Sequence, residues 1–428
     1  MIIIKLIFYF LSPLFFLVIL ILSPIIKVRF ISMPSDRIGE FVTCFEIYFK
    51  KKMKKKGYFD IFFTQKIISN LFYLYLIKKK IFIIKGIIVF PIYKIFYTLS
   101  LKYSFFEKFI LKLWNENKIS ENINISFGHE EIITKIPDKY IKKGENFLKT
   151  IGIQEQDKII LLYVRDQSYL KKTFPNRDYS YHNYRDTNID NYIDVINLAI
   201  KKGYYVFRMG AVVEKKIKLD NKKFIDYSNL YRTDFLDIFL AHRCSFVIGT
   251  PAGYDAVPCL SFKKTILTTN GTPVLPLILS QRLKMYYSLK KYYDNTKKKY
   301  LSLKEMLELN LVNKNGKDLL KKNVVVEESS SQELKNIFEE FLGIMDKKLT
   351  LSKEDFEIKD KFNDIILNYY FKNSDYNIYG NKTLNQNINT NQQKINENVS
   401  EIIKNKKKDV LKSKISINFL KSNSYLIE

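Results

Sequence analysis

The chain has 428 residues, an apolar share of 46% and a formal net charge of +27. That length accommodates two or three domains, and the apolar share is ordinary for a globular protein with a sizeable core. Three cysteines with no C-x-x-C pair argue against a disulfide framework and for a reducing compartment. The charge has two readings. Lys, Ile, Asn, Tyr and Phe are all abundant, as an AT-rich coding sequence produces, and a basic surface also attracts anionic lipid or phosphorylated ligands.

In chain order, the run Leu6 to Ile26 comes first. As a helix it spans about 31 Å, one hydrocarbon core. Only Lys5 precedes it, whereas Lys27, Arg29 and the lysine run between Lys50 and Lys56 follow it. This predicts an uncleaved membrane anchor over residues 1–27, with the rest of the chain on the cytoplasmic side of the inner membrane.

Residues 28–150 read as one α/β unit. The strand VRFISM is followed by the turn PSDRIG and an apolar-periodic segment, Phe41 to Phe49. DIFFT (60–64) is a second strand, IIVFP (87–91) a candidate third, and a short helix over Ile141 to Ile151 joins the two halves. Residues 151–345 read as a second α/β unit. KIILLYV (158–164) is a continuous apolar run bounded by charges, the pattern of a strand buried on both faces of a parallel sheet. A helix over Ile189 to Lys201 leads to the strand YYVFRMG. After KKFIDYS, Thr233 caps a helix from Asp234 to Arg243. CSFVIG, the turn TPAG and KKTILTTN complete an alternation that predicts a parallel sheet covered by helices. Residues 346–428 contain Asn/Gln-rich and Lys-rich stretches and read as a mostly disordered tail.

Ligands of open α/β sheets bind outside the carboxyl ends of the strands, so residues placed there are the candidates. Arg165 and Asp166 close the strand ILLYV: the Arg can fork onto a phosphate, and the Asp can act as a base or bind a sugar hydroxyl. The alternative is an Arg–Asp pair that orders the next loop. Arg208 ends the strand YYVF on the same edge, and two guanidinium groups suit a nucleotide diphosphate. Gly249, Thr250 and Gly253 bracket a strand-to-helix turn where backbone amides can receive an anion, although Asp255 would repel a phosphate held close by. Asp226, after the strand KKFI, can accept from ribose hydroxyls. His182 and Tyr184 lie in a Tyr-, Arg- and Asn-rich loop suited to sugar faces or to single-stranded nucleic acid. Arg37, Gly39 and Glu40 occupy the first strand-to-helix turn. There Arg37 and Gly39 can contact an acceptor or phosphate, and Glu40 is either a general base or a stabiliser of the helix dipole. No D-x-D, G-x-x-x-x-G-K-[ST], G-x-G-x-x-G or H-E-x-x-H occurs, which argues against the corresponding metal, ATP, dinucleotide and zinc enzymes.

The ordered series R-I-G (37–39), V-R-D…Y-L-K-K…F-P (164–175), Y-R-D-T-N-I-D-N-Y (184–192), G-Y-Y-V-F-R-M-G (203–210), I-D-Y-S (225–228) and D-F-L-D-I-F-L-A-H-R-C-S-F-V-I-G-T (234–250), with the Gly253 turn, resembles a family of bacterial glycosyltransferases linked to surface polysaccharides. The resemblance covers about residues 31–280. It implies an α/β, GT-B-like fold in which two Rossmann-like domains face a cleft, here preceded by the membrane helix and followed by the low-complexity tail. It further implies sugar transfer from a nucleotide-diphosphate sugar to a hydroxyl of a lipid-linked or polysaccharide acceptor, with no bound metal and no cofactor beyond that co-substrate. The family turn reads R-I-G-H, and here Glu40 stands in place of the His. Asp166 and Glu40 are therefore the expected catalytic residues. Arg165, Arg208, Asp226, Gly249, Thr250 and Gly253 are the expected donor contacts, and Arg37, Gly39, His182 and Tyr184 the expected acceptor or phosphate contacts. Nucleic acid is not an expected partner of such an enzyme. The rival expectation is a non-catalytic, basic, membrane-associated protein that binds nucleic acid or an acidic polymer, or a degenerate transferase fold that binds sugar without turnover.

Overall fold

A computed structural model describes residues 2–50, 56–113, 132–272, 274–278, 284–312, 314–372 and 414–428. The amino-terminal unit carries a parallel sheet of three strands, β1 (Lys27–Met33), β2 (Tyr58–Thr64) and β3 (Ile83–Lys85), in that spatial order. Helices α2 (Ile38–Lys50) and α3 (Leu71–Ile77) pack on it, and α4 (Gly86–Ser100) follows β3 directly. The segment IIVFP, expected as a strand, is the start of α4, and the third strand lies just before it. Periodicity does not separate a short apolar run in a strand from one in a buried helix.

After α5 (Asp138–Thr150), a seven-stranded parallel sheet forms the centre of the second unit. Its strands are β4 (Ile159–Tyr163), β5 (Tyr205–Arg208), β6 (Phe224–Ile225), β7 (Phe246–Gly249), β8 (Thr265–Gly271), β9 (Met285–Leu289) and β13 (Lys414–Ile415). The spatial order is β6-β5-β4-β7-β8-β9-β13. The chain starts at the centre with β4, runs out through β5 and β6, then returns to β7 on the other side. The order therefore reverses between β4 and β7, and this switch point is where doubly wound sheets open a crevice. Every residue of β4 and β7 is buried, as their unbroken apolar runs require. A small antiparallel sheet of β10 (Lys291–Asp294), β11 (Lys299–Tyr300) and β12 (Val324–Glu327) flanks the large one.

Helix α1 (Ile2–Leu22) contains Pro13 and lies along α4. Its Phe16 ring sits 4.8 Å from Phe96 and 6.2 Å from Phe106, and Phe16, Ile19 and Leu20 pack on a satellite core of Phe30, Phe63, Val89, Phe96 and Phe109. The expected membrane anchor, and with it the membrane-anchored placement of the chain, is overturned. Among the described residues no helix is long and apolar enough to cross a membrane, and part of the apolar surface of α1 is spent on α4. Most of the lysine run after α2 falls outside the described residues.

Several contacts tie the units together, among them the following. The Glu46 carboxylate on α2, with none of the residue exposed, accepts from Ser261 Oγ at 3.0 Å and Thr134 Oγ1 at 3.2 Å. Asp234 accepts from the Leu71 amide at 2.7 Å, and its carbonyl accepts from Asn70 Nδ2 at 2.9 Å. Gly39 meets Gly253 backbone to backbone.

The tail expected to be mostly disordered is folded where it is described. Helix α9 (Ser331–Met345) precedes α10 (Lys353–Lys372), and residues 414–428 return to the sheet. There β13 pairs with β9, and α11 (Ile417–Ser422) buries Phe419 and Leu420. Glu340, in the middle of α9, fixes this return: its carboxylate accepts from Ser416 Oγ at 2.5 Å and from the amides of Ile417 and Asn418 at 2.9 and 2.8 Å. The polar composition around residues 373–413 lies outside the described residues.

Candidate functional site

At the switch point a cleft of about 610 Å³ opens between the carboxyl ends of β4 and β7 and the first turn of the amino-terminal unit. That is the size of a small-molecule pocket. One wall is built from the residues after β4, the Ala252–Ala256 turn after β7 and the loop Met209–Val213 after β5. The opposite wall is the β1–α2 turn, from Pro34 to Cys44, with Ser69 and Asn70 ahead of α3.

Of the sequence-predicted residues, Arg37, Gly39, Glu40, Arg165, Asp166, His182 and Gly253 line the cleft, whereas Arg208, Asp226, Gly249, Thr250 and Tyr184 do not. Each of the five has a local reason. Arg208 is 2% exposed and faces Asp226 across 3.7 Å. Asp226 accepts from Ser228 Oγ at 3.0 Å and from Asn229 Nδ2 at 2.7 Å, the pattern of a strand-end turn. Gly249 is demanded by packing: a Cβ there would sit 2.5 Å from the Tyr163 ring. Thr250 is buried and its Oγ1 accepts from the Arg165 amide at 2.8 Å. Tyr184 is half-buried against Gly316.

The charged strand end after β4 is largely committed. Arg165 donates to the His182 carbonyl at 3.2 Å and pairs with Asp186, so it braces the loop that carries His182. Both Asp166 oxygens accept from backbone, Oδ1 from the Ser168 amide at 2.8 Å and Oδ2 from the Glu214 amide at 2.9 Å. A carboxylate that clamps two loops in this way positions the wall. Glu40, in the first turn of α2, is 44% exposed at its side chain and pairs with Arg37 at 2.6 Å.

Arg185, Arg232 and Asp237 also line the cleft, and none of them was singled out from the sequence. Arg185 donates to the Pro251 carbonyl at 3.0 Å, which places its guanidinium against the glycine turn. Its Nε is buried and has no hydrogen-bond partner among the described residues. The signal was available, since Arg185 sits inside the quoted Y-R-D stretch at 184–186. Burial first, then the charges of Arg185, Arg165 and Arg37, push the His182 imidazole down to about 4. At neutral pH His182 is therefore an uncharged donor and acceptor amid guanidinium groups.

The segment after β7 also departs from the helix expected after the turn TPAG. It continues as one 3-10 turn, Gly253–Asp255, and a π-helical segment, Val257–Ser261, that includes Pro258. Among the described residues no group of three His, Cys, Asp or Glu is arranged to hold a metal ion. Cys44 and Cys244 are buried free thiols, and Cys44 reaches the cleft wall.

No protein-family model matches the chain, and no curated protein does. Among solved structures it is similar to a glycosyl transferase family 9 protein from Veillonella parvula DSM 2008, at 10% identity and a TM-score of 0.35, over 57% of this chain and 80% of that one. It is also similar to the E. coli ADP-heptose LPS heptosyltransferase II, at 9% identity and a TM-score of 0.40, over 61% of this chain and 90% of that one. Neither likeness is strong enough to assign an activity to this chain.

Proposed function

We propose that the chain is a glycosyltransferase that moves a sugar from a nucleotide-diphosphate sugar to a hydroxyl of a carbohydrate or lipid-linked acceptor. The observation that carries this reading is the placement of Arg185. A buried guanidinium with an unmatched Nε faces the glycine turn at the switch point of a doubly wound sheet, where phosphorylated ligands bind. The donor diphosphate would lie between Arg185 and the amides near Gly253. As the sugar–phosphate bond breaks, negative charge grows on the leaving oxygen, and fixed guanidinium groups in a partly dry cleft stabilise it without reorganising. Neutral His182 supplies hydrogen bonds suited to sugar hydroxyls. The acceptor would enter from the β1–α2 side, past Arg37 and Glu40. In this reading Arg165 and Asp166 hold the wall in place, and Arg208 supports the sheet from behind it.

Titration of the full chain with UDP-, GDP-, dTDP- and CMP-linked sugars, alongside heparin, tests the proposal. Saturable binding of one nucleotide-diphosphate class is expected. Binding of heparin alone, falling steeply with salt, would replace the reading by that of a polyanion-binding protein.

A further inference from the structure

Transfer to a hydroxyl needs a group that takes the acceptor proton, and four carboxylates line the cleft, Glu40, Asp166, Asp237 and Asp255. Asp166 ties the Ser168 and Glu214 amides together, and Glu40 is an exposed side chain paired to Arg37. Asp255 belongs to the Gly253–Asp255 turn and acts on the charge of Arg185, on the donor side. The fourth is Asp237, on the helix Asp234–Arg243. From the geometry we infer that Asp237 is the general base of the transfer, an inference that rests on the reading of the cleft given above.

Asp237 lines the cleft with its side chain 13% exposed. It is held from both sides. The Tyr227 hydroxyl donates to Oδ1 at 2.8 Å, and Arg232 donates to Oδ2 from Nε at 3.1 Å and pairs with it through a terminal nitrogen 2.9 Å away. Each Asp237 oxygen thus has a donor, as each Asp166 oxygen has, but the donors here are side chains, whereas Asp166 fixes the backbone of two loops. Tyr254, which follows Gly253, donates to the Asp237 carbonyl at 2.7 Å. The helix carrying the carboxylate is thus pinned to the same turn that faces Arg185. A preorganised group of this kind suits proton transfer better than a mobile surface carboxylate. The charged and titratable groups around it are Arg232, Tyr227, Asp234 and Tyr254. Burial pushes the Asp237 carboxyl up to about 6 against the pull of Arg232 and Tyr227, with Asp234 adding to the rise. That value leaves it ionised at neutral pH yet basic enough to accept a proton in the transition state.

The step balances within the cleft. The acceptor hydroxyl gives its proton to an Asp237 oxygen as its own oxygen bonds to the anomeric carbon. The bond from that carbon to the diphosphate breaks, and its electron pair leaves on the phosphate oxygen beside Arg185.

The test measures release of nucleoside diphosphate from the donor class that binds, with a mixture of carbohydrate acceptors, across pH. For Asp237→Asn a fall in kcat of about 100-fold or more is expected, with donor Kd within a few-fold of wild type. The wild-type rate should fall on the acid side near pH 6, and Tyr227→Phe should move that limb to higher pH by removing a bond that favours the carboxylate. Asp186 is also pushed up to about 6 by burial, but it pairs with Arg165, and Tyr227 is not among the groups that shift it, so the Tyr227 shift separates the two even where Asp237→Asn does not fold. Retained kcat in a folded Asp237→Asn protein, an acid limb that ignores Tyr227→Phe, or a limb abolished by Glu40→Gln instead would overturn the assignment. Absence of donor binding in the wild type would instead overturn the reading of the cleft itself.

Discussion

Gly39 and Gly253 touch through their backbones at the floor of the cleft. A Cβ on Gly39 would fall 2.5 Å from the Gly253 Cα and 2.8 Å from its carbonyl oxygen, and a Cβ on Gly253 would fall 3.0 Å from the Gly39 nitrogen. These atoms are main chain and cannot rotate away. Gly39→Ala should therefore push the β1–α2 turn off the turn after β7, with a stability loss of about 1–3 kcal/mol from overpacking. Urea midpoints for the wild type and the variant check this. Donor affinity should fall with it, because the two walls no longer meet.

Arg208 separates position on the sheet edge from access to the ligand. Its side chain is 3% exposed and pairs with Asp226, 13% exposed. Arg208→Ala leaves Asp226 without its cation, and the expected result is a stability loss of about 3 kcal/mol, at the low end for a broken buried pair because Ser228 and Asn229 still bond the carboxylate. Denaturant unfolding measures the loss, and donor affinity in the folded fraction should be unchanged.

His182 makes stability depend on pH. Its folded value of about 4 lies below the ordinary 6.5, so between those limits the unfolded chain binds more protons than the folded one. Stability contributed at this site is intact above pH 6.5 and is lost as pH falls towards 4. Melting temperatures of wild type and His182→Asn should run parallel above pH 6.5 and converge or cross as the pH drops. Parallel curves throughout would show that folding leaves the His182 pKa at its ordinary value.

Glu340 holds the carboxyl-terminal return on the sheet edge. Glu340→Ala removes three hydrogen bonds to residues 416–418, at a cost of about 1.5–3 kcal/mol. Hydrogen exchange should then accelerate across residues 414–428 while the amides of β4 and β7 stay protected. Loss of this return would also expose β9 as an edge strand, so the variant should aggregate more readily.

Much of the second unit was legible because its signals are local. Buried parallel strands such as Ile159–Tyr163 and Phe246–Gly249 read as apolar runs closed by charges or glycine. Thr233 announces its helix through a side-chain bond to the Leu236 amide three residues on. What failed depended on distant partners. Nothing near Arg208 in sequence says that it is sealed off, and nothing near Asp166 says that its second oxygen is claimed by Glu214, 48 residues on. The return at 414–428 was hidden by its polar surroundings, since its anchor, Glu340, lies 76 residues before Ser416. Residues 1–27 misled for a related reason: sequence alone does not show that the apolar side chains of α1 pack on α4.

The central claim is that Arg185 and the turn at Gly253 hold the diphosphate of a nucleotide-sugar donor. Its most direct test is the Kd of the preferred nucleotide-sugar for the full chain and for Arg185→Ala, measured by calorimetry at one moderate salt concentration. Loss of about 1.5–3 kcal/mol, a charge-assisted hydrogen bond's worth and roughly 10- to 150-fold in Kd, is predicted. Equal affinity in the folded variant, or no affinity for any nucleotide-sugar in the wild type, would contradict the account.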